Sequence, residues 1–340
     1  MRRNDWPSVN WKVENPETCK IDSAKLSEVE SIVRTEYHNL NGLVVIKNGF
    51  IAYEKYFNGS SSNDLHHVAS VTKSIVSALI GIAIDAGFIK NEDQKVLDFF
   101  PEYVADPVHQ QKQDISIRHL LTMTAPYAFE DWHEPLDKMC MESNWVEYAL
   151  NMLGQQGTVG TFKYSTAGAH LLSAIITRST GKSSREFANE YLFKPIGMKE
   201  IPLFEIESYD YDHLFGKDVK GWVHDPNGYT TGGWGLTLTT RDMARFGYLY
   251  LNQGKWDTKQ IIPQHWIQET TTMNSNNYGY LWWLREENGV FAYVALGDGG
   301  NVICCIPEQD IVIAISSEFM VNPADRWPLI MEYIIPAVSA

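Results

Sequence analysis

Long apolar runs are missing from this sequence. No stretch reaches the about 18 consecutive apolar residues that a membrane-crossing helix needs, and the charged start Met1-Arg2-Arg3-Asn4-Asp5 leads into no apolar segment of the secretory-signal kind. The expectation is a cytoplasmic protein without a membrane partner. Cysteine is scarce as well: Cys19, Cys140, Cys304 and Cys305 form no C-x-x-C pair, which argues against structural zinc and against a disulfide framework. The adjacent Cys304 and Cys305 read as strand neighbours pointing to opposite faces. Positive charge is in deficit, with 28 Lys and Arg against 42 Asp and Glu and a formal net charge of -14. Nucleic acid is thereby excluded as a partner, because phosphate binding needs clustered basic side chains.

Several signatures are absent too. Neither G-x-S-x-G nor H-E-x-x-H nor G-x-G-x-x-G occurs, which removes the nucleophile elbow, the zincin and the dinucleotide loop. Gly181-Lys182-Ser183 imitates the end of a phosphate-binding loop, but Ile176 stands where the first glycine is required, so a helix C-cap is the better reading. The ten histidines show no ligand spacing. No metal and no cofactor is expected.

What is present is a chain long and apolar enough for one large domain or two intimate ones, with 340 residues and 44% hydrophobic positions. Leu43-Val44-Val45-Ile46 and Ile51 to Tyr56 flank Asn48-Gly49, the strongest short signal for a type I′ hairpin. From Val71 to about Ala86 an apolar pattern without interior proline runs up to Gly87, which predicts a helix buried nearly all round, with Ser70 at its N-terminal end. Helical patterns follow at Ile117 to Met123, Trp145 to Met152 and Gly168 to Arg178, and Thr239-Thr240-Arg241-Asp242 starts a capped helix ending near Gly254. Tyr278 to Trp283, Val290 to Ala295, Asn301 to Ile306 and Asp310 to Ser316 read as a β-meander, and Asp325 to about Ile335 as a final helix. The predicted class is α/β (α+β): an antiparallel β-sheet flanked by helices with an inserted helical domain. Residues 1–105 and 231–340 would form the discontinuous sheet domain and residues 106–230 the insertion, with the active site at their interface.

Ser70-Val71-Thr72-Lys73 fits S-x-x-K. Three residues along a helix is about one turn on one face, which brings the lysine amine to the serine hydroxyl. Serine is a poor nucleophile unless a neighbouring base takes its proton, and burial disfavours an ammonium, so this pairing is suited to acyl transfer. The helix N-terminus also aims the Ser70 N–H at a developing oxyanion. A chance S-x-x-K on a surface helix would mean nothing; here it opens a deeply apolar one, where a lysine is costly to bury without a purpose.

With these residues the chain resembles the serine β-lactamase and penicillin-binding-protein-like hydrolases, especially the branch of class C β-lactamases, family VIII esterases and 6-aminohexanoate-dimer hydrolases. The resemblance covers nearly everything from about residue 40 onward. Ile115 to Thr124 and Gly233-Trp234-Gly235-Leu236 leading into Thr240 to Phe246 look like family landmarks. Phe162-Lys163-Tyr164-Ser165-Thr166 matches the family's tyrosine motif, which implies Tyr164 as the phenol facing Ser70 and sharing its proton transfer with Lys73.

Two departures matter. Where the family carries Lys-Thr-Gly or His-x-Gly, this chain has Asp298-Gly299-Gly300-Asn301, and Asp298 would repel a substrate carboxylate. Thr166 stands where class C enzymes have an asparagine that donates to the acyl carbonyl. The catalytic candidates are Ser70, Lys73 and Tyr164; the oxyanion and substrate-binding candidates are Ser70, Asn301, Asp298, Gly299, Gly300 and Thr166, with a backbone N–H near Asn301 expected to complete the oxyanion hole. Trp132-His133, Trp222, Trp234 and Trp282-Trp283 are candidates for an apolar pocket. The expected activity is hydrolysis of a small-molecule ester or amide through an acyl-enzyme. A β-lactamase or DD-peptidase is the alternative within the same chemistry, and a non-catalytic ligand- or partner-binding relative is the alternative outside it.

Overall fold

A computed structural model describes residues 6, 7, 10–15, 17–105, 110–128, 131, 134–320 and 322–338. The first hairpin forms as its turn requires: β1 (Leu40–Lys47) and β2 (Phe50–Tyr56) are joined by Asn48 and Gly49, both at the positive φ of a type I′ turn. Two short ribbons follow in chain order, β3 (His66–His67) with β4 (Thr237–Leu238) and β5 (Lys255–Trp256) with β6 (Lys259–Gln260). The C-terminal meander is β7 (Trp283–Glu287), β8 (Val290–Gly297), β9 (Asn301–Ile306) and β10 (Ile311–Ser317). Strand β10 pairs antiparallel with β1, so both ends of the chain share one antiparallel sheet of order β2-β1-β10-β9-β8-β7.

Both faces of this sheet are covered, which explains why its central strands are apolar without alternation. Val44, Ile46 and Cys305 enter one core, while Leu43, Val45 and Cys304 enter the other, so the two adjacent cysteines do point to opposite faces. All four cysteines are free. The second core is closed by α1 (Ser23–Glu36) and by the C-terminal helical stretch from Arg326 to Val338.

The first core is larger and holds α2 (Val71–Asp85), in which every residue from Val71 to Ala83 is buried. Beyond it come α3 (Ile117–Leu121), α4 (Glu134–Met141), α5 (Trp145–Met152), α6 (Thr166–Thr180), α7 (Ser184–Ala188) and α8 (Tyr211–Phe215). Helix α6 ends at Gly181 in the left-handed conformation, a C-cap and not a phosphate loop. The cap expected at Thr239 forms, its hydroxyl accepting from the Asp242 N–H at the start of α9 (Thr240–Leu251), and α10 (Gln264–Thr271) follows. Arg241 forks onto Glu54 and Arg118 onto Asp93 and Glu92, so the charged members of the two landmark segments brace the fold.

One expected strand is different. Tyr278 to Leu281 is irregular and the strand begins only at Trp283, because this segment is pinned to helices instead of to the sheet. Leu281, at φ 60, donates to the Leu121 carbonyl and its own carbonyl accepts from Ser74 Oγ on α2. Among the described residues no helix is long and apolar enough to cross a membrane.

Candidate active site

Ser70 lies at the N-cap of α2, where the chain turns out of β3. The turn is held from both sides: Val68 N–H donates to the Leu236 carbonyl, and the Ala69 carbonyl accepts from both the N–H and the hydroxyl of Thr72. Ala69 itself sits at φ 48, a left-handed conformation that costs a non-glycine residue roughly 1–2 kcal/mol. Its N–H donates to His67 Nδ1 at 3.3 Å, so that ring nitrogen is an acceptor, and burial pushes the His67 pKa down to about 4. The Ser70 N–H donates to nothing among the described residues and remains available to a ligand.

One helical turn on, Lys73 is almost wholly buried, with 1% of its surface exposed. Its Nζ has three oxygen neighbours, Ser70 Oγ at 2.9 Å, Thr166 Oγ1 at 3.0 Å and the Gly233 carbonyl at 3.0 Å. Three acceptors match the three N–H groups of an ammonium, which offsets a burial penalty of several kcal/mol for an unpaired ion. In the neutral form, the lone pair of the same nitrogen can face Ser70 and receive its proton.

The chain of contacts continues to an aspartate. Thr166, the first residue of α6, is held by Asp131: its N–H donates to Asp131 Oδ1 at 2.6 Å and its hydroxyl donates to Asp131 Oδ2. Ser165 caps the same helix by accepting from the Gly168 N–H. A carboxylate against a first-turn N–H of a 15-residue helix is electrostatically favoured. Asp131 escaped the sequence reading because a lone aspartate 35 positions before its partner carries no local signal.

Tyr164 also reaches the lysine, through its ring. Lys73 Nζ stands 4.8 Å from the ring centroid, a cation–π distance, and Trp283 stacks on the same tyrosine at 5.9 Å and 17°. Among the described residues its hydroxyl makes no hydrogen bond, to Ser70 or otherwise.

The fourth side of the site is the end of β8. A Cβ added to Gly297 would lie 2.2 Å from the Val68 carbonyl oxygen and 3.3 Å from Ala69 Cβ, so the strand backbone abuts the turn that carries Ser70. Asp298 follows immediately. Burial raises its carboxyl pKa above the usual range, opposed by Lys73, with Asp131 adding to the rise. Its N–H donates to nothing among the described residues.

Gly299, Gly300 and Asn301, expected to touch substrate, are engaged otherwise. The Gly299 carbonyl accepts from Asn39 and Arg326, the Gly300 carbonyl from Ser317 Oγ. Asn301 is fully buried, pairs with Gly297 across the hairpin, donates to the His67 and Asp298 carbonyls and accepts from the Ser317 N–H. These three brace the turn, and Asp298 lines a cavity. Thr166 is likewise occupied, spanning Lys73 and Asp131 instead of facing an acyl carbonyl.

That cavity, about 440 Å³, adjoins Ser70 through Ala69 and Asp298 and is walled by Trp234, Phe215, Tyr211 and Phe319. Trp234 was a pocket candidate and is one. Trp222 and Trp282 are fully buried core residues, Trp283 backs Tyr164, and Trp132-His133 lie outside the described residues.

Comparison with known proteins gives the family and the fold. A family model described as Beta-lactamase matches residues 35–332. The 6-aminohexanoate-dimer hydrolase of Paenarthrobacter ureafaciens is 24% identical over 348 aligned positions, covering 93% of this chain and 82% of that protein. A solved structure from Bacillus anthracis, described as a candidate 6-aminohexanoate-dimer hydrolase, superposes with a TM-score of 0.76 at 20% identity, covering 98% of this chain and 89% of the other. EstCE1, described as a hydrolase with promiscuous acyltransferase activity, gives 0.71 at 16% identity, covering 96% and 99%. At these identities the two structures establish the shared fold.

Proposed function

This chain belongs to the Beta-lactamase family, and on that premise we propose that it is a serine hydrolase cleaving an ester or amide bond of a small molecule through an acyl-enzyme on Ser70. The observation that carries the reading is the 2.9 Å contact between Ser70 Oγ and a buried Lys73 Nζ at the start of an apolar helix. Hydrolase relatives support it.

In this mechanism Ser70 Oγ attacks the substrate carbonyl carbon while Lys73 Nζ takes its proton. The carbonyl oxygen becomes an oxyanion facing two backbone donors, the free N–H groups of Ser70 and Asp298. The second donor is Asp298, not Asn301, because the β8 end at Gly297 is the segment that abuts the serine turn. Collapse of the tetrahedral intermediate expels the alcohol or amine, which takes its proton from Lys73 by way of Tyr164. Water then adds to the acyl-enzyme, gives up a proton to the same pair, and releases the acid with Ser70 restored.

An ester or linear amide fits better than an anionic β-lactam or a D-Ala-D-Ala terminus, since Asp298 places negative charge where those substrates bring a carboxylate. The test is intact-protein mass spectrometry after treatment with a neutral fluorophosphonate. One adduct, mapped to Ser70 and absent from Ser70→Ala, is expected. Absence of any adduct on folded wild-type protein would replace the hydrolase reading with that of a ligand-binding relative.

A further inference from the structure

The cavity beside Ser70 has an unusual chemical make-up for a site in which one acid stands so close to the nucleophile. Tyr211 stacks on Phe215 at 5.3 Å and 29°, Phe215 stacks on Trp234 at 5.6 Å and 15°, and Phe319 meets Tyr211 edge-on at 5.8 Å. The outer two rings are open to solvent, Tyr211 at 50% and Phe319 at 40% exposure, although they rim a concave site. Bare aromatic surface at the mouth of a pocket is surface that a ligand would cover.

Asp298 lines the same cavity. Its Oδ2 is buried without a hydrogen-bond partner among the described residues, and its charge acts on Tyr211. Lys73 cannot neutralise it by contact, since its three hydrogen bonds go to Ser70, Thr166 and Gly233. The other titratable groups around the cavity are Asp212 and Glu318, which add negative charge, Lys217, which is exposed, and His66 and His67, whose pKa values burial pushes down. The histidines are therefore neutral near pH 7, and the cavity carries three carboxylates against one lysine.

We propose that this cavity is a subsite for an ammonium group: the substrate is a small amine-bearing ester or amide whose cationic end lies against the Asp298 carboxylate and the exposed rings of Tyr211 and Phe319. The proposal rests on the hydrolase reading above for the word substrate, but the cation site stands on its own geometry. Aromatic faces carry negative electrostatic potential and hold ammonium ions over them, and a carboxylate in the same cavity adds a fixed counter-charge. Because the Asp298 backbone faces the oxyanion, the ammonium belongs on the part of the substrate within a few bonds of the scissile carbonyl.

Two measurements separate this inference from the hydrolase reading. The first is binding without chemistry: butyltrimethylammonium is titrated into the protein and followed by tryptophan emission and calorimetry. Saturable binding is expected, weakened at least tenfold in Asp298→Asn and strengthened two- to threefold in Lys217→Ala, an exposed position whose loss removes a positive charge from the cavity wall. A Phe319→Ala variant at the solvent-exposed rim, expected to weaken binding threefold or more, keeps the test decisive should Asp298→Asn fail to fold. The second compares turnover of p-nitrophenyl 4-(trimethylammonio)butanoate with its neutral isostere p-nitrophenyl 5,5-dimethylhexanoate, each divided by its rate with hydroxide. A kcat/KM ratio of ten or more in favour of the cation, collapsing towards one in Asp298→Asn, is expected. No saturable ammonium binding, or a ratio near one in the wild type, overturns the subsite even if both esters are cleaved. Ammonium binding that depends on Asp298, in a protein that cleaves neither ester and takes no label at Ser70, retains the subsite and removes the hydrolase reading alone.

Discussion

Lys73 and Thr166 are joined by a 3.0 Å hydrogen bond between two residues that are buried and 93 positions apart, and Thr166 passes that link on to Asp131. The lysine that faces the nucleophile is thus oriented from behind by a hydroxyl whose own proton is committed to a carboxylate. An Nζ with three fixed acceptors has one orientation available, which holds it on the Ser70 side of the site.

From this follows the first prediction. Thr166→Val keeps the shape but leaves a Lys73 N–H and an Asp131 oxygen unpaired, so kcat should fall about tenfold or more, equivalent to about 1.4 kcal/mol in the barrier. Thr166→Ser keeps the hydroxyl and should restore most of the rate. Steady-state kinetics on a p-nitrophenyl ester checks both; equal rates for Val and Ser would mean that the Lys73–Thr166 bond plays no part in orientation.

A second prediction concerns Tyr164. Its ring is packed by Trp283 and Tyr278 while its hydroxyl has no hydrogen bond among the described residues, so Tyr164→Phe should leave the melting temperature nearly unchanged. If the phenol carries the leaving-group proton, kcat should drop about a hundredfold or more, the usual scale for a lost acid–base group. Turnover at the wild-type rate would assign proton transfer to Lys73 alone.

Gly297→Ala is the third. The new methyl would sit 2.2 Å from the Val68 carbonyl oxygen, a backbone atom that cannot step aside without moving the serine turn. Overpacking of this kind costs about 1–3 kcal/mol, to be read as a lower urea midpoint, and it should slow fluorophosphonate labelling of Ser70 because the two oxyanion donors are pushed apart. Unchanged labelling would detach the end of β8 from the site.

The fourth prediction is acid sensitivity from His67. Its folded pKa of about 4 lies below the ordinary value of 6.5, so the unfolded chain binds the proton first. Stability from this residue is therefore complete above pH 6.5 and is lost as pH falls from there to about 4, by roughly 3 kcal/mol in total. His67→Asn, which can still accept from the Ala69 N–H, should flatten the fall in urea stability between pH 7 and pH 4 by about that amount. Parallel pH curves for the two proteins would show that His67 is not the group being charged.

How much of this was legible beforehand depends on the range of the interaction. The Asn48-Gly49 turn, the α2 helix ending at Gly87, the Thr239 cap and the two-faced Cys304-Cys305 pair all follow from contacts within a few residues, where backbone preference and periodicity act directly. Ser70 and Lys73 were readable for the same reason, since one helical turn guarantees their meeting. Tyr278 to Leu281 was misread as strand because its backbone partners are Leu121 and Ser74, far away in sequence.

By itself, then, the sequence determined an acidic chain with an antiparallel sheet flanked by helices and a serine–lysine pair at a helix start, because each rests on local spacing or on composition. Only the tertiary structure decided the rest. It brought Asp131 to Thr166, turned Gly299, Gly300 and Asn301 into braces, and set Asp298 in one cavity with rings drawn from the segments around residues 211–215, 234 and 319. Those outcomes depend on which distant surfaces bury one another, and burial over the whole core, more than any motif, settles where such side chains end.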